Sequence, residues 1–340
     1  VVRIHPPQIF YLKRYAVEFE RLVFAGSGNA EFAYRVADSL GDSVGRMSLG
    51  RFPDGEVSVK VEVNVRGRDC FVIQPTCPPV SENIVELMII IDALKRSSAY
   101  RVTAVVPYYG YARQDRKDQP RVPITAKLIA DLLTKAGADR LLTMDLHAGQ
   151  IQGFFDIPVD NLTAAPIFAK AVMALGMENL VVASPDVGGV KNARSFARRL
   201  ERMREASGSE EKVGFAIVDK HRKSPDEVAA VSIIGDVDGK SVVIIDDIIS
   251  TGGSLVEAAA LLLDRGAVEV VAVITHPILA GEAAAKVENS RLENLFVTDT
   301  VPLHGEMGSK IKVCSVAPLF GAAIDAIHRN RSISKLFDGG

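Results

Sequence analysis

The stretch VVIIDDIISTGGS, residues 242–254, decides the fold. Val242, Val243, Ile244 and Ile245 form a continuous β-branched run, the pattern of a strand covered on both faces in a parallel sheet. Two adjacent carboxylates, Asp246 and Asp247, end the run, and a turn of small residues follows: Ser250, Thr251, Gly252, Gly253 and Ser254. Ser254 is a good N-cap, and LVEAAALLLDR (255–265) reads as a helix with Gly266 just past its end. The unit is therefore strand, turn, helix. Small side chains at a helix N-terminus leave backbone N–H groups free to face an anion, which the helix dipole also favours. A phosphate fits this turn. Asp246 and Asp247 would repel it, so they are expected to face another part of the same ligand, and a carboxylate accepts hydrogen bonds from sugar hydroxyls. A phosphate at one end and a diol at the other describe a pentose phosphate. The competing reading is an Asp-rich capping turn with no ligand.

Outward from this unit, helix followed by strand recurs. ALKRSSAYRVTAVVPYYG (93–110) resembles LLLDRGAVEVVAVITHPILAG (261–281), and KAGADRLLTMDLHA (135–148) is a third instance. Alternating helices and strands imply parallel sheets with right-handed crossovers. FAGSGN (24–29) and VASPDVGG (182–189) open two halves in the same way. The expectation is an α/β protein of two similar domains, each a central, largely parallel sheet flanked by helices. They would span 21–160 and 161–340, joined near Asp160, with the last helix able to pack back on the first domain. Ligands in such sheets bind beyond the carboxyl ends of the strands.

Composition bounds the rest. A chain of 340 residues with 48% hydrophobic content can fill two cores, and a net charge of −2 argues against nucleic acid as the main partner. Cys70, Cys77 and Cys314 stand at no metal-like spacing and suggest core thiols in a reducing cytoplasm. No apolar run approaches the ~20 residues of a membrane span. Residues 1–20 carry charges among their apolar residues, unlike a signal peptide, and are expected to be a disordered leader or a start-site extension before a fold that begins near Arg21. There is no GxxxxGK[ST], so any nucleotide is held without a P-loop.

Other constellations fall after strand-like runs. MDLHAGQ places His147, and SPDVGG places Asp186, where an imidazole and a carboxylate could hold Mg²⁺ together with water and substrate oxygens; His147 could equally be satisfied by backbone. YARQDRK (111–117) offers arginines to phosphate oxygens or is a solvated basic loop. FAIVDKHRKSPDE (215–227) has few buried anchors and carries Lys220 and Arg222, suited to closing over a polyphosphate. RFPDGE (51–56) is a platform for a base or simply a hairpin.

Together RFPDGE, PYYGYARQDRK, DLHAGQIQGFFDIPVDN, SPDVGG, VDKHR and VVIIDDIISTGGS resemble the ribose-phosphate pyrophosphokinases, over nearly the whole chain from about Arg21 to Phe337. The resemblance implies two phosphoribosyltransferase-like domains and transfer of the β,γ-pyrophosphoryl group of ATP to the 1-hydroxyl of ribose 5-phosphate. It implies that Phe52, Asp54, Gly55 and Glu56 contact adenine from a neighbouring subunit, and that Arg113 and Gln114 bind ATP phosphates. His147 and Asp186 would serve Mg²⁺, Asp246 and Asp247 the ribose hydroxyls, Ser250 to Ser254 the 5-phosphate, and Lys220 and Arg222 the transferring group. Ser332, Ser334 and Arg121 resemble parts of an anion site between subunits, where phosphate would activate and ADP inhibit, and the resemblance implies a homo-oligomer, a hexamer; the competing reading of the tail is a packed C-terminal helix with a capping serine. Ser250 stands where many members carry aspartate, and Ser254 where threonine is usual. A phosphoribosyltransferase would share the Asp246–Asp247 turn but not need RFPDGE or VDKHR. A non-catalytic regulatory relative would be expected to lose Lys220 or Arg222.

Overall fold

Burial on both faces of the strands shapes the molecule. The computed structural model describes residues 19–221, 230–334 and 336; most of the expected leader, Arg222 and the end of the 215–227 stretch lie outside the described residues.

The first half contains β1 (Arg21–Ala25), α1 (Ala30–Ser39), β2 (Met47–Arg51), β3 (Val57–Val61), β4 (Asp69–Ile73), α2 (Val80–Arg96), β5 (Arg101–Val106), α3 (Thr125–Ala136), β6 (Arg140–Met144), β7 (Val159–Leu162) and α4 (Ala165–Met173). The second contains β8 (Leu180–Ser184), α5 (Val190–Ala206), β9 (Gly214–His221), β10 (Ala230–Ile234), β11 (Ser241–Ile249), α6 (Gly253–Asp264), β12 (Glu269–Pro277), α7 (Ala283–Glu288), β13 (Leu295–Thr298), β14 (Ile311–Cys314) and α8 (Ala317–His328). One sheet runs β1-β4-β5-β6-β7, all parallel. The other runs β10-β9-β8-β11-β12-β13-β14, parallel except for the β9–β10 pair. β2 and β3 form a separate antiparallel hairpin.

The halves repeat element for element: β1 answers β8, β4 answers β11, β5 answers β12, β6 answers β13 and β7 answers β14. The hairpins β2–β3 and β9–β10 fall at the same point of each repeat. β7 runs through Asp160, so the first sheet closes at Leu162, two residues past the join read from the sequence.

Alternate residues of the apolar runs part to opposite faces. Val23, Phe71, Val105 and Leu142 of the first sheet meet Val182, Val243 and Val273 of the second in one central cluster, which also takes Phe32, Phe168, Phe196 and Phe320 from α1, α4, α5 and α8. The other faces are covered by α2 and α3 on the first sheet and mainly by α6 on the second. The helix exchange is reciprocal: α4 packs on α5 of the second half, and α8 packs on α1 of the first. Phe320 meets Phe32 edge-on with ring centroids 5.4 Å apart. The end of α8 is tied down by Arg21 on Asp325 (2.9 Å) and by Asp69, which faces both Arg101 (2.6 Å) and His328 (2.9 Å).

Candidate active site

β11 continues through Asp246 and Asp247 to Ile249, four residues beyond the expected end. It pairs with β8 only as far as Ile244, but stays beside β12 to Ile249. The two carboxylates therefore stand where β8 peels away, on the crevice at the carboxyl ends of the strands. A cavity of about 1360 Å³ opens there between the halves.

The turn that follows differs from its expected capping. The N-cap of α6 is Gly252, in the left-handed conformation at φ +76°, and no side chain caps the helix. Ser254 lies inside the first turn. Side-chain propensity favours serine at an N-cap, but the left-handed step at Gly252 starts the helix earlier and leaves the first N–H groups without a side-chain acceptor. The turn is held from behind, where Ala280 N–H donates to the Ser250 carbonyl (2.9 Å) and Ile278 N–H to that of Ile249 (3.0 Å). Gly266 lies past the helix end at φ +94°, as read from the sequence.

His147 reaches across from the first half. Its Nδ1 lies 2.7 Å from Asp247 Oδ2. Hydrogen bonding to Asp247 raises the His147 pKa despite partial burial, and among the described residues Nε2 has no hydrogen-bond partner. Burial would raise the Asp247 pKa, yet the His147 hydrogen bond and charge bring it below the usual carboxylate range. Asp246 is held well above that range by burial and by the Asp247 charge, with Asp186 adding to the effect. Asp186 also lines the cavity; its Oδ1 accepts from Gly189 N–H (2.8 Å) and its carbonyl from the Ser184 hydroxyl (2.6 Å). Asp247 is thus the hydrogen-bond partner of His147, a contact that the expectation of His147 and Asp186 serving Mg²⁺ together did not include.

Arg113 and Gln114 line the same cavity from the loop after β5, together with Arg116. The Gln114 N–H donates to the Tyr111 carbonyl (2.9 Å), and its side-chain oxygen accepts from the Thr125 hydroxyl. Lys191 and Asn192, which sequence reasoning passed over, line the wall from the start of α5. Asp145, in the quoted MDLHAGQ, was also missed as a separate feature.

Not every expected residue converges within one chain. Phe52, Asp54, Gly55 and Glu56 form the tip of the β2–β3 hairpin, closed by Phe52 N–H on the Glu56 carbonyl (2.8 Å), with Phe52 exposed; they are outside this cavity's lining. Lys220 is on β9, opposite Val231 in the register. Ser332 and Ser334 are exposed beyond α8 and hydrogen bond to each other (2.9 Å), while Arg121 is exposed at φ +68° in the 116–124 loop. Among the described residues no helix is long and apolar enough to cross a membrane.

An open helix start and an acidic pair stand on one wall of the cavity, with arginines and an imidazole on the other. Residues 21–137 match the family model described as the N-terminal domain of ribose phosphate pyrophosphokinase, and residues 205–338 match the phosphoribosyl synthetase-associated domain. The ribose-phosphate pyrophosphokinase of Wolinella succinogenes is 49% identical over 315 residues, covering 93% of this chain and 98% of that one. That of Thermosipho africanus is 49% identical over 320 residues, covering 94% and 98%. The crystal structure of phosphoribosylpyrophosphate synthetase from Mycobacterium smegmatis superposes with a TM-score of 0.85 at 37% identity, covering 92% of this chain and 99% of the other. The chain belongs to the ribose-phosphate pyrophosphokinase family.

Proposed function

We infer that the chain transfers the β,γ-pyrophosphoryl group of ATP to the 1-hydroxyl of ribose 5-phosphate, giving PRPP and AMP. The observation that carries the reading is one cavity shared by two unlike walls: an acidic pair and an uncapped helix start from the second half, arginines and His147 from the first.

The sugar lies on the second half. Asp246 and Asp247 accept from its hydroxyls, and the turn from Ser250 to Ser254 surrounds its 5-phosphate. Ser250 in place of the usual aspartate removes one negative charge from that turn. Arg113 and Gln114 hold ATP phosphates, and the Phe52–Glu56 hairpin tip reaches adenine from a neighbouring subunit. That arrangement gives an exposed aromatic tip a purpose and makes an oligomer, a hexamer in this reading, part of the site. Ser332, Ser334 and Arg121 belong to an anion site between subunits that takes phosphate as activator and ADP as inhibitor.

The transfer is an in-line displacement at the β-phosphorus, which depends on alignment and charge neutralisation more than on covalent help from the protein. Lys220 and Arg222 meet the charge that develops on the oxygen leaving with AMP. Asp186, Asp246 and Asp247 line one cavity and offer the hard oxygens that Mg²⁺ takes, but among the described residues no three ligating side chains cluster to hold an ion by themselves, so water and substrate oxygens would supply most of its shell. His147, oriented by Asp247, and Asp186 would hold the ion, with water and phosphate oxygens completing its shell. When bound it supplies positive charge to the phosphates.

The direct test is AMP release from ATP, with PRPP identified by phosphorus NMR. AMP formation should depend on ribose 5-phosphate, and AMP released without the sugar would overturn the reading. Lys220→Ala should lower kcat by about 100-fold with little change in the KM for ATP, because its charge matters in the transition state. A defect confined to KM would remove Lys220 from that role.

A further inference from the structure

We propose that His276, with Thr275, is the positioning residue that sets the two walls of the cavity in register for transfer. The proposal rests on the cavity being the transfer site. Thr275 and His276 lie near the end of β12, where His276 is the register partner of Ile248, the residue after Asp247. From this anchorage both side chains cross to the first half and grip the residues just before His147. His276 Nε2 lies 3.2 Å from the Met144 carbonyl and 3.3 Å from that of Asp145. The Thr275 hydroxyl donates to Asp145 Oδ2 (2.7 Å), which also accepts the Ala164 N–H (2.9 Å) at the start of α4.

The contacts define one tautomer. Carbonyls only accept, so Nε2 carries the proton, and Nδ1 accepts from the Thr300 hydroxyl at 3.0 Å. Thr298 donates to the Thr275 carbonyl (2.7 Å) behind this pair, and the cluster is buried. Full burial lowers the His276 pKa, in keeping with a neutral ring. The Tyr108 ring closes the remaining side, edge-on at 5.1 Å. Tyr108 lies just past the end of β5 and His276 near the end of β12, the equivalent strands of the two halves.

The grip acts on a backbone that would not hold itself. Asp145 sits at φ +37°, in the region disfavoured for residues with a Cβ. Two residues later His147 meets Asp247 at 2.7 Å. The path from β12 through Asp145 to His147 and back to β11 is a closed loop across the domain boundary. The counterpart of Asp145 is Asp299, after β13, and it also takes the first N–H of a following helix, from Val316 at 2.8 Å. The residue answering Thr275 in the first half is Pro107, which has no hydroxyl, so this grip exists on the active-site side alone.

Each substrate binds mainly to one wall, so loosening the grip should leave both KM values nearly unchanged and lower kcat. A displacement of about 1 Å can cost about 100-fold in rate. Glutamine can place an amide N–H where Nε2 stood; asparagine reaches only the Nδ1 position. The test compares His276→Gln, His276→Asn and Thr275→Val with the parent enzyme in ribose 5-phosphate-dependent AMP release, alongside thermal melting. The expected result is near-parent kcat for His276→Gln, a loss of about 30- to 100-fold in kcat for His276→Asn, and about 5- to 10-fold for Thr275→Val, with both KM values within about twofold. Equal activity of the glutamine and asparagine variants, or losses in KM in place of kcat, would overturn the assignment. Should the histidine variants fail to fold, Thr275→Val decides alone, and an unchanged kcat there overturns it. A parent enzyme inactive in the same assay would instead refute the transfer reading itself.

Discussion

Asp246 and Asp247 are neighbours in the chain with opposite electrostatic fates, the first held above the usual carboxylate range and the second below it. Replacing either by asparagine keeps the shape but exchanges acceptor capacity for donors. Asp246→Asn and Asp247→Asn should both raise the KM for ribose 5-phosphate, by about tenfold or more at Asp247, the cost of about one hydrogen bond to a charged group, and that for ATP much less; a selective ATP defect would contradict the sugar assignment. The acidic pair was legible in the sequence because it interrupts an apolar run. The His147–Asp247 bond was not, since it joins residues 100 positions apart and depends on how two domains dock. Thr275 and His276 escaped notice for a different reason: at the end of a β-branched run they read as more strand. The thiols give a separate check. Burial pushes Cys70 up to about 12 and Cys77 to about 11, so neither should react with iodoacetamide at pH 8 until the protein unfolds. Because the folded value lies above the ordinary 9.0, the contribution of Cys70 to stability is complete below that pH and is lost as the pH rises toward 12. Rapid alkylation of either thiol in the native state would show that its pocket opens.

The strands and helices were legible as elements because their apolar runs are long and end on Gly, Ser or Asp, but their ends moved where backbone conformation outweighed propensity. β11 gained Asp246 to Ile249 because β12 continues to pair with it after β8 stops. α8 shows what elements can add that periodicity cannot: its apolar face is plain in APLFGAAIDAIH, but nothing local says that it packs on α1. Phe320 is fully buried there against Phe32. Phe320→Ala should cost about 3–5 kcal/mol, the usual range for emptying such a site. The variant should still unfold in a single transition, because the cluster it weakens belongs to both sheets. Two separated transitions in calorimetry would mean that the halves hold their structure independently.

At the scale of the whole molecule, an internal repeat ought to give two sites, and cavities do open at equivalent places in the two halves. The second, about 590 Å³, is lined by the loop after β1, the loop after β4 and the segment after β13, the counterparts of three segments that line the active-site cavity. The two have diverged in their donors. The start of α6 in the active-site half and that of its counterpart α2 both lack a side-chain cap, so the difference lies in the loops around them. In the other half Ser27 N–H donates to Glu86 (2.7 Å) and Gly28 N–H to Gln74 (2.8 Å), so the loop after β1 is filled by the protein's own side chains. The β4–α2 connection carries Pro78 and Pro79, which have no N–H to offer, where the other half has Thr251 and Gly252 before its helix. The arginines at the second cavity are engaged as well, Arg35 with Glu31 and Asp299, Arg51 with Glu82. A sugar phosphate would have to displace these internal partners and leave buried acceptors unpaired, a penalty of about 1–3 kcal/mol for each. Isothermal titration of ribose 5-phosphate into the protein should therefore give one site per chain, and Asp247→Asn should weaken that site. A stoichiometry of two, with one site insensitive to Asp247→Asn, would show that both copies of the repeat still bind the sugar.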